Sequence, residues 1–125
     1  MSNSFQDIVA WKKAHVFVLT VYRVTKGFPD FEKFGLCSQF QRAAVSIPAN
    51  IAEGYKKLSR TDKLRFFNIA QGSLEECRYY IILSCDLNYI SAEDRKMMEV
   101  AIEEVSKTLN GYCKGIIDKD YSTEL

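Results

Sequence analysis

Histidine is almost absent from this chain: among 125 residues there is one, His15. That scarcity removes several chemistries at once. Di-metal centres in helical bundles draw on two Glu-x-x-His motifs plus two further glutamates. Here the residue three before His15 is Lys12, and Glu53, Glu75, Glu76, Glu103 and Glu104 cannot supply the missing imidazoles. A Ser-His-Asp or Cys-His site would also need His15, and no strand-turn-helix elbow is present to hold a nucleophile. His15 is expected to be partly buried and bonded to a carbonyl or carboxylate. Cysteine is present but unpatterned. Cys37, Cys77, Cys85 and Cys113 form no C-x-x-C pair, so the expectation is reduced, core-filling thiols with no zinc. No glycine-rich loop follows a strand, so there is no phosphate cradle. No apolar run reaches the roughly 18 residues of a membrane span. The opening MSNSFQDIVAW lacks a basic stretch before an apolar one, so a cytoplasmic protein without signal peptide is expected. Neither an enzyme nor a cofactor is expected.

What is present is helix. Apolar residues recur at steps of three and four throughout, with no alternating strand pattern and no internal repeat. The first segment runs from about Gln6 to Lys26, with Ile8, Trp11, His15, Val18 and Tyr22 as one stripe, and breaks at Gly27–Asp30. The second, Gly35 to Gly54, places Leu36, Phe40, Ala43, Ala44, Ile47 and Ile51 on one face. The third starts after Ser59 and Asp62, spaced as a capping pair, and runs to about Leu87 with Leu64, Phe67, Ala70, Leu74, Cys77, Ile81 and Leu87 inward. The fourth opens at Ser91 and Asp94, a second such pair, with Met97, Ala101, Val105, Leu109, Tyr112 and Ile116 along its seam. Connections this short join antiparallel neighbours. The expected fold is all-α: one up-down-up-down four-helix bundle over residues 1–125, with a frayed tail at 121–125.

Proline is as rare as cysteine is scattered, and one of the two, Pro48, falls inside the second helix. It cannot donate to the carbonyl of Ala44, and its ring crowds that carbonyl, at about 3 kcal/mol in a regular helix. A kink is expected there. A polar stripe, Arg42, Ser46, Asn50 and Glu53, brackets it. Three readings stand: a hydrogen-bond network between helices or subunits around Pro48, a ligand or nucleic-acid surface, or a plain solvated face. Asn68, Gln71, Glu75 and Arg78 of the third helix are the expected partners of such a network.

Two features point to partners. At about 100° per residue, the non-polar positions of the first helix sweep roughly 220°, where an arc of about 100° suffices to face a core. Ala10, Ala14, Phe17, Val21 and Val24 lie on the surplus arc and are the expected homo-oligomer interface, the other reading being a helix central to its own bundle. Charge is also uneven beneath a net of +1: residues 1–65 hold 11 Lys/Arg against 5 Asp/Glu, and residues 66–125 hold 6 against 11. The segment 56–65, KKLSRTDKLR, concentrates Lys56, Lys57, Arg60, Lys63 and Arg65 between Tyr55 and the pair Phe66 and Phe67. Such a corner can neutralise phosphates, with an aromatic available to a base, or can serve as a solvated loop.

The strings FQDIVAWKKA (5–14), FPDFEKFGL (28–36), SQFQRAAVSIPANIAEG (38–54) and RFFNIAQGSLEE (65–76) resemble the four-helix-bundle family encoded by intervening sequences in bacterial 23S rRNA genes, often labelled ribosomal proteins. The resemblance implies a non-enzymatic homopentamer that binds structured RNA. A related branch accompanies reverse transcriptases of diversity-generating retroelements, which implies docking to a reverse transcriptase or maturase as the rival role. The acidic Glu99, Glu103 and Glu104 face of the fourth helix is available for that contact. Two family cations are replaced here, by Gln41 beside Arg42 and by Gln71 before Gly72. RNA affinity is therefore expected to be weak and salt-dependent, carried by Lys56, Lys57, Arg60, Lys63 and Arg65, with Arg42 secondary.

Overall fold

The computed structural model describes the backbone of residues 4–124 and the side chains of residues 4–119. Four helices follow a short 3-10 turn at Phe5–Asp7: α1 (Val9–Thr25), α2 (Leu36–Lys56), α3 (Arg60–Asp86) and α4 (Ala92–Glu124). Each helix packs on its two neighbours, α1 on α2 and α4, and α3 on α2 and α4, which makes a four-helix bundle. No strand occurs among the described residues. The tail expected at 121–125 falls outside the described side chains.

Local chemistry sets most helix ends. Ser59 accepts the Asp62 N–H at 3.1 Å and Ser91 accepts the Asp94 N–H at 3.0 Å, so both expected caps form. α3 ends in a left-handed residue, Asn88 (φ 63°), with Tyr89 N–H donating to Ser84 O and Asn88 N–H to Cys85 O. This pairing satisfies the last carbonyls of the helix. Between α1 and α2, Glu32 accepts from the Leu36 N–H at 3.1 Å and from the Tyr89 hydroxyl at 2.8 Å, tying one end of the bundle together.

The core is one cluster, filled by Phe17 and Val21 of α1, Phe40, Ile47 and Ile51 of α2, Phe67, Leu74 and Ile81 of α3, and Met98, Ile102, Val105 and Leu109 of α4. Three expectations need correction. Ala10, Ala14, Phe17 and Val21 are core residues, 1% exposed or less, and Val24 is half-buried. They face their own bundle, because periodicity gives the width of an apolar arc but not its centre. The large apolar residues left outside on α1 are Val9, Val16 and Leu19, each more than half exposed, and Tyr22 of the expected stripe, 43% exposed. Along α4 the seam passes through Met98 and Ile102, one residue on from Met97 and Ala101, and Leu87 is exposed at the end of α3. Finally, α2 does not close at Gly54 but continues to Lys56, with Pro48 buried inside it.

Among the described residues, one buried side-chain group lacks a partner: the Ser84 hydroxyl, fully enclosed, has no hydrogen-bond partner. A hydroxyl stripped of water without compensation costs about 1–3 kcal/mol. Ser84→Ala is therefore expected to stabilise the fold by about 1 kcal/mol, read as a higher urea midpoint at unchanged slope.

Candidate nucleic-acid interface

The connection between α2 and α3 is three residues long, so the cations at the end of one helix and the start of the next share a corner. Lys56 is exposed, while Lys57 and Arg60 are half-buried. Lys57 Nζ lies 4.9 Å from the centroid of the Phe66 ring, and the Arg65 guanidinium stands over the same ring at 5.2 Å. Arg65 also reaches the Asp62 carboxylate at 3.9 Å, an exposed pair of little energetic weight. Leu58, at the tip of the corner, is fully exposed.

Lys63 belongs to the fold more than to the surface. Its ammonium donates to the Tyr55 carbonyl at 2.6 Å and lies 5.6 Å from the Tyr55 ring centroid. That carbonyl is among the last four of α2, which have no partner within the helix. Lys63 thus caps α2 from α3, and burial pulls its pKa below the usual lysine range. Arg42 does not join the corner either. It precedes Lys56 by 14 residues, about 21 Å along the helix at 1.5 Å per residue. There it lines a groove of about 320 Å³ between α2 and α3 with Gln39, Ser46, Ser73, Glu76 and Tyr80.

The polar stripe around Pro48 splits in a similar way. Asn50 Nδ2 donates to the Ser46 carbonyl at 2.8 Å and to Ser46 Oγ at 2.9 Å, and Ser73 Oγ donates to Ser46 Oγ at 2.8 Å. Glu53 is exposed on the outer side of α2. The α3 partner is Ser73, whereas the residues expected in that role face α4: Gln71 bonds Asn110 at 2.8 Å and Arg78 bonds Glu103 at 2.9 Å. Beside the network, the Tyr80 hydroxyl sits 2.7 Å from the Glu76 carboxylate. Burial, with Glu76 adding to it, pushes the phenol up to about 12.

Two further expectations change. The acidic face of α4 is matched by cations of its own chain: Glu99 pairs with Arg95 at 3.3 Å, Glu103 with Arg78 at 2.9 Å and Glu104 with Lys13 at 3.7 Å. His15 is exposed and stacks on the Trp11 ring, centroids 5.2 Å apart and planes within 6°. Its position at the edge of the stripe directs it to an aromatic face, not into the core.

The fold adds a cation that the corner's sequence does not show. Antiparallel packing sets Phe67 against Tyr112, ring centroids 5.4 Å apart, and lines a groove with Leu64, Arg65, Asn68, Gln71, Cys113 and Ile117. Exposed Lys114 therefore lies at the same end of the bundle as residues 56–65. Helix order alone carries this signal, since the fourth helix of an up-down bundle must finish where the second does.

Residues 6–111 match the model of the 23S rRNA-intervening sequence protein family. The chain belongs to that family. Among solved structures, a protein of unknown function from the S23 ribosomal protein family of Bacteroides thetaiotaomicron VPI-5482 is similar, with a TM-score of 0.79 and 28% identity. The likeness covers 87% of this chain and 98% of that one. No curated protein matches. The 23S rRNA-intervening sequence match includes the whole α2–α3 corner but ends at Gly111, so Lys114 lies beyond it.

Proposed function

We propose that this 23S rRNA-intervening sequence protein is a non-enzymatic, self-associating bundle that binds structured RNA, ribosomal RNA included, through phosphate contacts at the α2–α3 corner. The observation that carries the reading is the gathering of Lys56, Lys57, Arg60 and Arg65 at one end of the molecule around an exposed tip. The family's genetic setting inside an rRNA gene supports RNA as the polyanion. The rival, a scaffold for a reverse transcriptase or maturase, would rely on an acidic α4 face that Lys13, Arg78 and Arg95 already neutralise. Phosphate contacts release counterions, so the affinity must fall steeply with salt. With four contacts, the log–log slope of affinity against salt is expected near −3 to −4 in fluorescence polarisation with an RNA hairpin. Absence of binding at low salt would overturn the RNA reading in favour of the scaffold.

Self-association draws on the apolar side chains that the bundle leaves outside. Val9, Val16 and Leu19 on α1 and Met97 and Val100 on α4 are exposed, and Val16 and Ala101 line one shallow groove. Covering them in a ring of copies, a pentamer by family resemblance, also repeats the corner and raises its avidity for a long polyanion. A kink at Pro48, where the helix lacks one hydrogen bond, would shape the outer surface of α2 in such a ring. Val16→Glu is expected to shift the mass measured by light scattering to that of a monomer without changing the circular dichroism. An unchanged mass would exclude this face.

A further inference from the structure

Proteins that hold single-stranded nucleic acid combine a positive groove with aromatic rings on which unpaired bases stack. The corner has the charge and, in sequence, the aromatics: Tyr55 and Phe66 flank it. In the fold, however, those rings are already engaged. Lys57 and Arg65 both stand over Phe66, at 4.9 and 5.2 Å, and Lys63 stands over Tyr55 at 5.6 Å, all within cation–π range. Lys63 is held there by its bond to the Tyr55 carbonyl, so a base cannot displace it without also uncapping α2. Both rings are half-buried as well. The only fully exposed apolar side chain at the corner, Leu58, has no π face.

We propose that this corner takes the phosphate backbone of paired RNA and does not read unstacked bases, Phe66 serving as a shelf that orients Lys57 and Arg65 outward. The proposal rests on the RNA reading above and specifies which RNA. Oriented cations suit a ligand with fixed, closely spaced phosphates, and a duplex presents more charge per length than a single strand. Sequence is then not read, because base edges in the deep, narrow major groove of paired RNA are out of reach of side chains.

The experiment compares a hairpin with an unstructured oligonucleotide of equal phosphate count, by fluorescence polarisation at fixed low salt. The hairpin is expected to bind at least about fivefold tighter. Phe66→Leu, which removes the shelf under Lys57 and Arg65, should weaken hairpin binding about threefold and single-strand binding by no more than that. Leu58→Trp, placed where the side chain touches nothing, supplies the missing platform and should raise single-strand affinity about fivefold while leaving the hairpin nearly unchanged. A wild-type protein that binds the single strand as tightly as the hairpin overturns the proposal. So does a Phe66→Leu variant of unchanged melting temperature that loses single-strand binding tenfold and keeps the hairpin. Binding to neither RNA overturns the RNA reading itself, and the proposal with it.

Discussion

Gly54→Ala is expected to destabilise the bundle by about 1–3 kcal/mol, whereas Gly72→Ala should stabilise it by up to about 1 kcal/mol. Both glycines lie inside helices, and in both cases alanine improves helix propensity by about 1 kcal/mol. Their surroundings differ. A Cβ on Gly54 would stand 2.6 and 2.9 Å from two ring carbons of Phe67 and 3.1 Å from Phe66 Cβ. The Phe67 ring cannot yield, being fully buried with its face against the edge of Tyr112 or the reverse, at an interplanar angle of 80°. The last turns of α2 must therefore move off α3, and the overpacking outweighs the gain in propensity. At Gly72 a Cβ would meet nothing within 4 Å. For a domain of this size each kcal/mol moves the melting temperature by roughly 3–5 °C, so the two variants should separate clearly from wild type in opposite directions. Equal shifts of the same sign would show that the α2–α3 approach at Gly54 is not tight.

The same glycine shows how far the sequence is legible. A glycine after an apolar periodic run reads as a helix stop, but it serves equally where two helices come close. Only the neighbour, Phe67, distinguishes the two uses. Features settled within a few residues were readable: the Ser59 and Ser91 caps, the number of helices and their order. Features settled between helices were not. The α1 arc is wide because Val9, Val16 and Leu19 continue it onto the outside, so counting apolar positions could not tell which part is buried. On α4, Met97 and Met98 are chemically identical neighbours, so periodicity places Val105 and Leu109 on the seam but does not say which methionine joins them. The basic corner was visible as composition. Its division of labour was not, because which carbonyl Lys63 reaches depends on how α3 crosses the end of α2.

That division yields the second large expectation. Replacing Lys56, Lys57 and Arg60 together by glutamate should lower hairpin affinity at least about 100-fold at low salt, roughly 3 kcal/mol. Each substitution removes an attraction worth about 1 kcal/mol in water at contact distance and adds a repulsion, while salt screening and side-chain motion take back part of the sum. The slope of affinity against salt should become shallower by about one for each lost contact. Two single variants mark the borders of the site. Arg42→Glu, about 21 Å away along α2, should cost little more than twofold if one corner engages the RNA. Lys63→Ala should instead cost stability, because it uncaps the Tyr55 carbonyl and exposes the ring the ammonium covers, and should leave the affinity of the folded fraction nearly unchanged. A triple variant that binds as well as wild type would remove the corner from the interface. An Arg42→Glu variant as damaged as the triple one would move the interface onto the α2–α3 groove, where Glu76 and the Ser46–Ser73 bond already stand.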